Sequence, residues 1–331
     1  MTNNWSFTDV WNTALEKGKD RPPKERDNMW AGEIGGSYID RYLKMKGTMP
    51  TNPPNARSRR KFEAGNLMEW LVKLILARAG ILKEEQTWLS YNPEGKLAVT
   101  GKLDFIAGGS VDKMAGFQFV SDMGLPEFFA RATEAIIESL PDEMSKRVLE
   151  VKSCSGFMWD AYDRNGASVR HEAQLYHYLL TSAVEEGSIL YISRDDLRLQ
   201  EFSLSRQTQR VRDFYMNDID RMTHYIQKGV CPDKEPLIDF KEESGKFASN
   251  FKVAYSPYLK MLYGFENQAS FDEVIKKKAT GYDRVLGRLA EGKNMTDKNK
   301  IILESMEKDY KDLGPYIEIR KKAQKSDEIE E

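Results

Sequence analysis

The chemistry most legible in this sequence sits at Glu150-Val151-Lys152, inside the apolar run 148–151. Alternation along a strand turns Glu150 and Lys152 to one face. A carboxylate and an ammonium so placed can serve one site, the first binding a hard divalent cation and the second holding or polarising a water. The spacing alone is weak, because Glu-x-Lys recurs at Glu94-Gly95-Lys96 and Glu291-Gly292-Lys293, both read as exposed glycine turns. A solvated strand face accommodates Glu150 and Lys152 as well.

Three further positions offer matching chemistry. Asp104 ends an apolar run in Gly101-Lys102-Leu103-Asp104-Phe105; between Leu103 and Phe105 a carboxylate is costly to bury without a partner or a metal, and an edge-exposed Asp or a local cap is the simpler alternative. Gly65 and Glu69 are one helical turn apart, so the glycine would let that face approach another backbone and lower the Glu69 carboxylate onto a sheet; a solvated helical Glu is the alternative. Gln174 and Tyr178 are also one turn apart, with side chains suited to a phosphate oxygen or a lysine, although Tyr178 could be core.

These positions need elements to hold them. The spacing predicts a helix over 37–46, then a longer one over 59–79 in which Phe62, Leu67, Trp70, Leu71, Leu74 and Ile75 recur at helical intervals and Gly80 stops it. Strands are expected over 85–90 and 97–106, joined by Asn92-Pro93-Glu94-Gly95. An insertion over 108–146 contains a helix over 127–140, after which a strand resumes at 148–151. A helix over 168–184, a hairpin over 189–204 turning at Asp195-Asp196, and a helix over 206–227 follow. Residues 1–29 read as a polar lead-in with the breaker Arg21-Pro22-Pro23-Lys24. From 266 the chain reads as a charged helical extension ending in the acidic run 327–331. Helices and strands in this order argue for an α/β fold, a mixed central sheet flanked by helices.

Composition bounds the partners. The 331 residues suggest about two domains, or one large domain with attachments. With 50 Lys+Arg against 52 Asp+Glu the net charge is −2, so nucleic-acid binding must be read from local patches. The densest patch is Arg57, Arg59, Arg60 and Lys61, one turn or more ahead of Glu69, suited to phosphate steering or to a solvated helix start; Arg170 is a further candidate. Cys154 and Cys231 are the only cysteines, too few for a disulfide scaffold or a four-cysteine cluster, and they fit a reducing compartment. The start of the chain has no basic segment leading into an apolar run, and no stretch reaches a membrane-span length, so a soluble cytoplasmic protein is expected.

Taken in order, Gly65/Glu69, Asp104, Glu150/Lys152 and Gln174/Tyr178 resemble the PD-(D/E)XK nuclease superfamily, in particular its RecB-type branch with the CRISPR-adaptation exonucleases. The resemblance covers roughly residues 33–262. It implies a restriction-endonuclease-like core over 30–265, Mg²⁺ or Mn²⁺ held by Asp104, Glu150 and the Val151 carbonyl, and Lys152 as catalytic lysine. Gln174 and Tyr178 would form the helical motif that organises the site and its DNA. Glu69 stands where this branch commonly has His, while Arg60 and Gly65 match its pattern. Cluster-bearing relatives carry one early and three late cysteines; here Ile39, Val253, Ser256 and Leu262 occupy those slots, beside matching Arg41, Tyr255, Pro257 and Tyr258. The resemblance thus implies a relative without an iron–sulfur cluster.

The expected activity is metal-dependent hydrolysis of DNA, as an exonuclease on single-stranded or duplex ends in recombination, repair or replication, in the host cytoplasm if phage-encoded. A structure-specific or restriction-like endonuclease, and a catalytically silent DNA-binding or interaction module, are the alternatives. A protein partner could use the 108–146 insertion or the tail.

Overall fold

A computed structural model describes residues 6–16, 23–124, 127–242 and 244–330. Parts of the lead-in (1–5 and 17–22, with Arg21 and Pro22 of the breaker), residues 125–126 of the insertion, and Glu331 of the acidic run lie outside the described residues.

The protein is mixed α/β and divides into two compact units, Met1–Thr48 with Pro54–Cys231, and Met49–Pro53 with Pro232–Glu331. The first unit runs α1 (Phe7–Glu16), β1 (Asn28–Trp30), a 3₁₀ turn (Ala31–Glu33), α2 (Tyr38–Met45), α3 (Ala56–Arg78), β2 (Leu82–Glu85), β3 (Trp88–Tyr91), β4 (Ala98–Lys102) and β5 (Phe105–Ser110). It continues with α4 (Lys113–Asp122), α5 (Glu127–Ser139), β6 (Glu143–Cys154), α6 (Gly156–Asn165), α7 (Val169–Ser182), β7 (Glu186–Ser193), β8 (Leu199–Ser205) and α8 (Gln209–Lys228).

Five strands form the main sheet in the order β2-β5-β6-β7-β8, with β6 and β7 parallel and the other neighbours antiparallel. One face packs Val148, Ile189 and Tyr191 with Leu175, Tyr178 and Leu179 of α7, and Val211 and Tyr215 of α8 add to the same core. The other face packs Phe105, Ala107, Val151 and Ile192 with Val72 and Leu76 of α3. A second sheet, β1-β4-β3, carries the Trp88–Lys102 pairing.

Sequence expectation and structure differ at the strand over 97–106. It is broken at Leu103-Asp104 into β4, which belongs to the small sheet, and β5, which belongs to the large one. The opposing chain breaks at Gln86-Thr87, where Gln86 takes φ of 50°. Leu103 N–H donates to the Thr87 carbonyl and Gln86 N–H to the Asp104 carbonyl, so the bend keeps its backbone satisfied while the hairpin passes from one sheet to the other.

A second difference concerns α3. Its start is capped by the Asn55 side chain, which accepts from Ser58 N–H. The stripe read from the sequence is not its buried face: Phe62, Leu67, Trp70, Leu71 and Ile75 are exposed, while Val72 and Leu76 enter the core.

The second unit comprises β9 (Ile238–Lys241), β10 (Lys246–Ser249), α9 (Phe251–Ala254), α10 (Leu259–Tyr263), α11 (Gln268–Phe271), a π-helical turn (Asp272–Lys276), α12 (Lys277–Ala290), α13 (Asp297–Asp309) and α14 (Gly314–Glu330). Ile238, Phe247, Val253 and Leu259 share one core with Phe271, Tyr282, Leu286 and Met306. Residues 232–265, expected with the first domain, therefore group with the C-terminal helices, and the division falls at Cys231/Pro232. Ile39 is buried in the first unit, and Val253 and Ser256 in the second. Among the described residues no helix is long and apolar enough to cross a membrane.

Candidate active site

The bend at Asp104 is where the chemistry gathers. Extending the β5–β6 register one step past Phe105↔Leu149 sets Asp104 beside Glu150. Asp104 Oδ2 accepts the Val151 N–H at 2.8 Å, which fixes the carboxylate against the strand that carries Glu150 and Lys152. Both acids are buried, Asp104 with 8% and Glu150 with 1% of its surface exposed.

Glu150 Oε1 is paired with Lys152 Nζ, and Glu150 Oε2 is buried without a hydrogen-bond partner among the described residues. Lys152 Nζ also donates to Gln174 Oε1 at 3.0 Å. From there the donors run one way: Gln174 Nε2 donates to the Tyr178 hydroxyl (3.2 Å), and that hydroxyl donates to the Lys102 carbonyl (3.0 Å). This chain fixes which end of the Gln174 amide faces the lysine. Close packing permits it: a Cβ on Gly101 would lie 2.6 Å from the Tyr178 ring and 2.8 Å from the Ala31 Cβ, so only glycine fits there.

Glu69 approaches on α3. A Cβ on Gly65 would lie 3.3 Å from Ser153 Oγ, the side chain after Lys152, so the helix comes down tightly on β6. Glu69 lines a cavity of about 210 Å³ with Asn66, Trp70, Lys73, Gln86 and Phe105.

The electrostatics are those of crowded acids around one cation. Burial and then the Glu150 charge raise the Asp104 carboxyl well above its ordinary range. Burial also raises Glu150, against the pull of Lys152. Glu69 rises through burial and the Glu150 charge. For Lys152 burial opposes the charge, yet Glu150, Asp104 and Glu69 together outweigh it and hold the ammonium above its ordinary value. Among the described residues no three His, Cys, Asp or Glu side chains stand close enough to form a ready-made metal cluster. The donor chemistry, hard carboxylate oxygens with one of them unpartnered, nevertheless fits a hard divalent cation.

The basic candidates divide. Arg57 and Lys61 are exposed. Arg59 donates to the Leu15 carbonyl (3.4 Å) and Arg60 to Asn12 Oδ1, so α1 engages both. Arg170 donates to the Ile34 carbonyl (3.4 Å); burial and then the nearby Arg41, itself in a buried pair with Asp218 (2.5 Å), depress its pKa. Two contributors were not singled out from the sequence. Lys102 supplies the carbonyl that accepts from Tyr178, and His171 feels the Lys152 charge. His171 precedes Gln174 by three residues, and that spacing on one helix face was the available signal.

No protein-family model matches the chain, and no curated protein matches it either. Among solved structures it is similar to one titled "Crystal structure of SSO0001", with TM-score 0.41 and 14% identity over 70% of this chain and 98% of that one. That likeness is too slight to carry an argument.

Proposed function

We propose that the chain is a metal-dependent deoxyribonuclease of the PD-(D/E)XK type, with a restriction-endonuclease-like core in its first unit, acting as an exonuclease on DNA ends in recombination, repair or replication. The observation that supports this reading best is the convergence of Asp104, Glu150 and Lys152 with the Gln174–Tyr178 pair at one buried point. These are the residues whose order in the sequence resembles that superfamily.

Mg²⁺ or Mn²⁺ would be held by Asp104 and Glu150, with Glu69 and the Val151 carbonyl as further ligands. Bound there, the cation would polarise the scissile phosphate and make a water more acidic. The chain's own side chains do the rest. Lys152, held charged by its acidic neighbours, orients the attacking water or offsets charge that builds on the phosphate. Gln174 keeps Lys152 aimed, and Tyr178 keeps Gln174 aimed. Arg57 and Lys61, exposed at the start of α3, steer phosphates towards the bend. The cellular setting in this reading is the cytoplasm, of a host cell if a phage encodes the protein.

The test is to incubate purified protein with Mg²⁺ or Mn²⁺ and end-labelled linear single-stranded, linear duplex and circular DNA, beside Asp104→Ala and Lys152→Ala. Cleavage of linear DNA alone, lost in both variants, is expected. Cutting of circles would assign an endonuclease instead, DNA binding without cleavage would assign a binding module, and equal activity in wild type and variants would overturn the site.

A further inference from the structure

His171 is a titratable side chain near this site that the mechanism above leaves unused. It precedes Gln174 and Tyr178 by three and seven residues on α7, so the three share one helix face. Its Nδ1 lies 2.7 Å from the Tyr191 hydroxyl. Tyr191 in turn is the β7 partner of Lys152 in the strand register, which ties the imidazole to the lysine from the sheet side as well as from the helix side.

The direction of the Tyr191 bond follows from counting protons. Tyr191 is fully buried, and its oxygen already accepts the Ser168 N–H at 3.2 Å. Burial raises its pKa, so the hydroxyl keeps its proton. That proton needs an acceptor, and His171 Nδ1 is the acceptor within reach. The ring proton of a neutral imidazole must then be on Nε2. Tyr162 stacks on Tyr191 at 4.0 Å between ring centroids and holds the phenol in place.

Nε2 has no hydrogen-bond partner among the described residues, and the residue is not fully enclosed. Burial, then the charges of Lys152 and Arg170, lower the pKa to about 3, so the ring stays neutral under working conditions. An N–H donor flanked by two cations suits an anionic oxygen.

We propose that His171 is a DNA-contacting residue, locked by Tyr191 in the tautomer with its proton on Nε2, which donates from Nε2 to a non-bridging phosphate oxygen of DNA seated beside Lys152. This rests on the nuclease reading for its ligand. The contact positions DNA without adding a charge to a site that already holds the Lys152 ammonium.

Two measurements on the full chain test it. In the first, ¹⁵N-labelled histidine is observed by NMR without metal: His171 is expected to show an unprotonated Nδ1 and a protonated Nε2 between about pH 5 and 8, and Tyr191→Phe to lose that single form. A protonated Nδ1 in the wild type would overturn the proposal. In the second, binding of a fluorescent single-stranded or duplex oligonucleotide is titrated with Ca²⁺ in place of Mg²⁺ or Mn²⁺. Loss of one hydrogen bond to a charged oxygen is expected to weaken binding by His171→Leu roughly tenfold or more. His171→Gln, whose terminal amide can present an N–H near the Nε2 position, is expected to recover most of it. Wild-type affinity in His171→Leu, or equal losses in both variants at equal Tm, would overturn the contact. The nuclease reading fails separately, through an inactive wild type that still binds DNA; a wild type that binds no DNA sinks both.

Discussion

Asp104→Asn tests whether the crowding of acids at the bend is a cost the metal-free fold carries for its site. An acid whose pKa is raised by folding binds its proton more tightly in the folded chain than in the unfolded one. Its contribution to stability is therefore present below the ordinary carboxylate value of 3.8 and is lost as pH rises through the folded value. At neutral pH the Asp104 charge is then destabilising. Asn retains an oxygen to accept the Val151 N–H and removes the charge next to Glu150. Each pH unit of displacement relieved is worth about 1.4 kcal/mol. In a unit of this size one kcal/mol moves Tm by about 2–4 °C, so a single unit of relief raises Tm by about 3–6 °C. The assay is thermal unfolding in EDTA at pH 8, with and without added Mg²⁺. The variant is expected to melt higher than wild type in EDTA and to cleave no DNA. Wild type is expected to gain about 2.7 kcal/mol when Mg²⁺ stands at 100 times its Kd, and the variant to lose most of that gain. As pH rises above the ordinary carboxylate value to about 8, the wild-type Tm in EDTA should fall relative to that of Asp104→Asn, because His171 and His177, held neutral by burial, add the same opposite trend to both proteins. Lys152, raised above its ordinary value, stays charged across this window and does not change the sign. A variant that melts lower than wild type in EDTA would show that the Asp104 charge is no cost to the metal-free fold, and one that keeps the full Mg²⁺ gain would show that Asp104 holds no cation.

Four further outcomes are expected. Lys152→Met leaves Glu150 buried without its counter-charge and should destabilise the metal-free protein by about 3–5 kcal/mol at neutral pH, read as a lower denaturation midpoint, with part of the loss restored by Mg²⁺. Gly101→Ala drives a methyl into the Tyr178 ring and Ala31; a loss of about 1–3 kcal/mol in chemical denaturation is expected, with impaired cleavage because Tyr178 aligns Gln174. Tyr178→Phe deletes the hydroxyl between Gln174 and the Lys102 carbonyl, and should cost about 1 kcal/mol in stability while lowering kcat more than it raises KM. Trp70→Ala removes an exposed ring beside Glu69 and should leave Tm unchanged while weakening binding of single-stranded oligonucleotides by about 1–3 kcal/mol, measured by anisotropy.

The parts of the site that could be read from the sequence are those whose geometry is local. Two residues along a strand or four along a helix share a face whatever the rest of the chain does, so Glu150 with Lys152 and Gln174 with Tyr178 were legible from spacing. What joins the two pairs is not local. Lys152 meets Gln174 because β6 runs parallel to β7 beneath α7, and Asp104 meets Val151 because a hairpin changes sheets at its middle. That bend was missed for a physical reason: 97–106 has strand character on both sides of it, and the break is set by which neighbour each half pairs with. Periodicity likewise leaves the buried face of α3 open, while Gly65 points to it. The helix is apolar around much of its girth, so periodicity offered several stripes, and the tight approach of Gly65 to Ser153, together with Val72 and Leu76 in the core, selects the one that carries Glu69. The residues left outside, Phe62, Leu67, Trp70, Leu71 and Ile75, are then surplus to the core. Of these, Trp70 shares a cavity with the half-buried Glu69 and contributes nothing to the core, so a substitution there separates what the cavity does from what the fold needs.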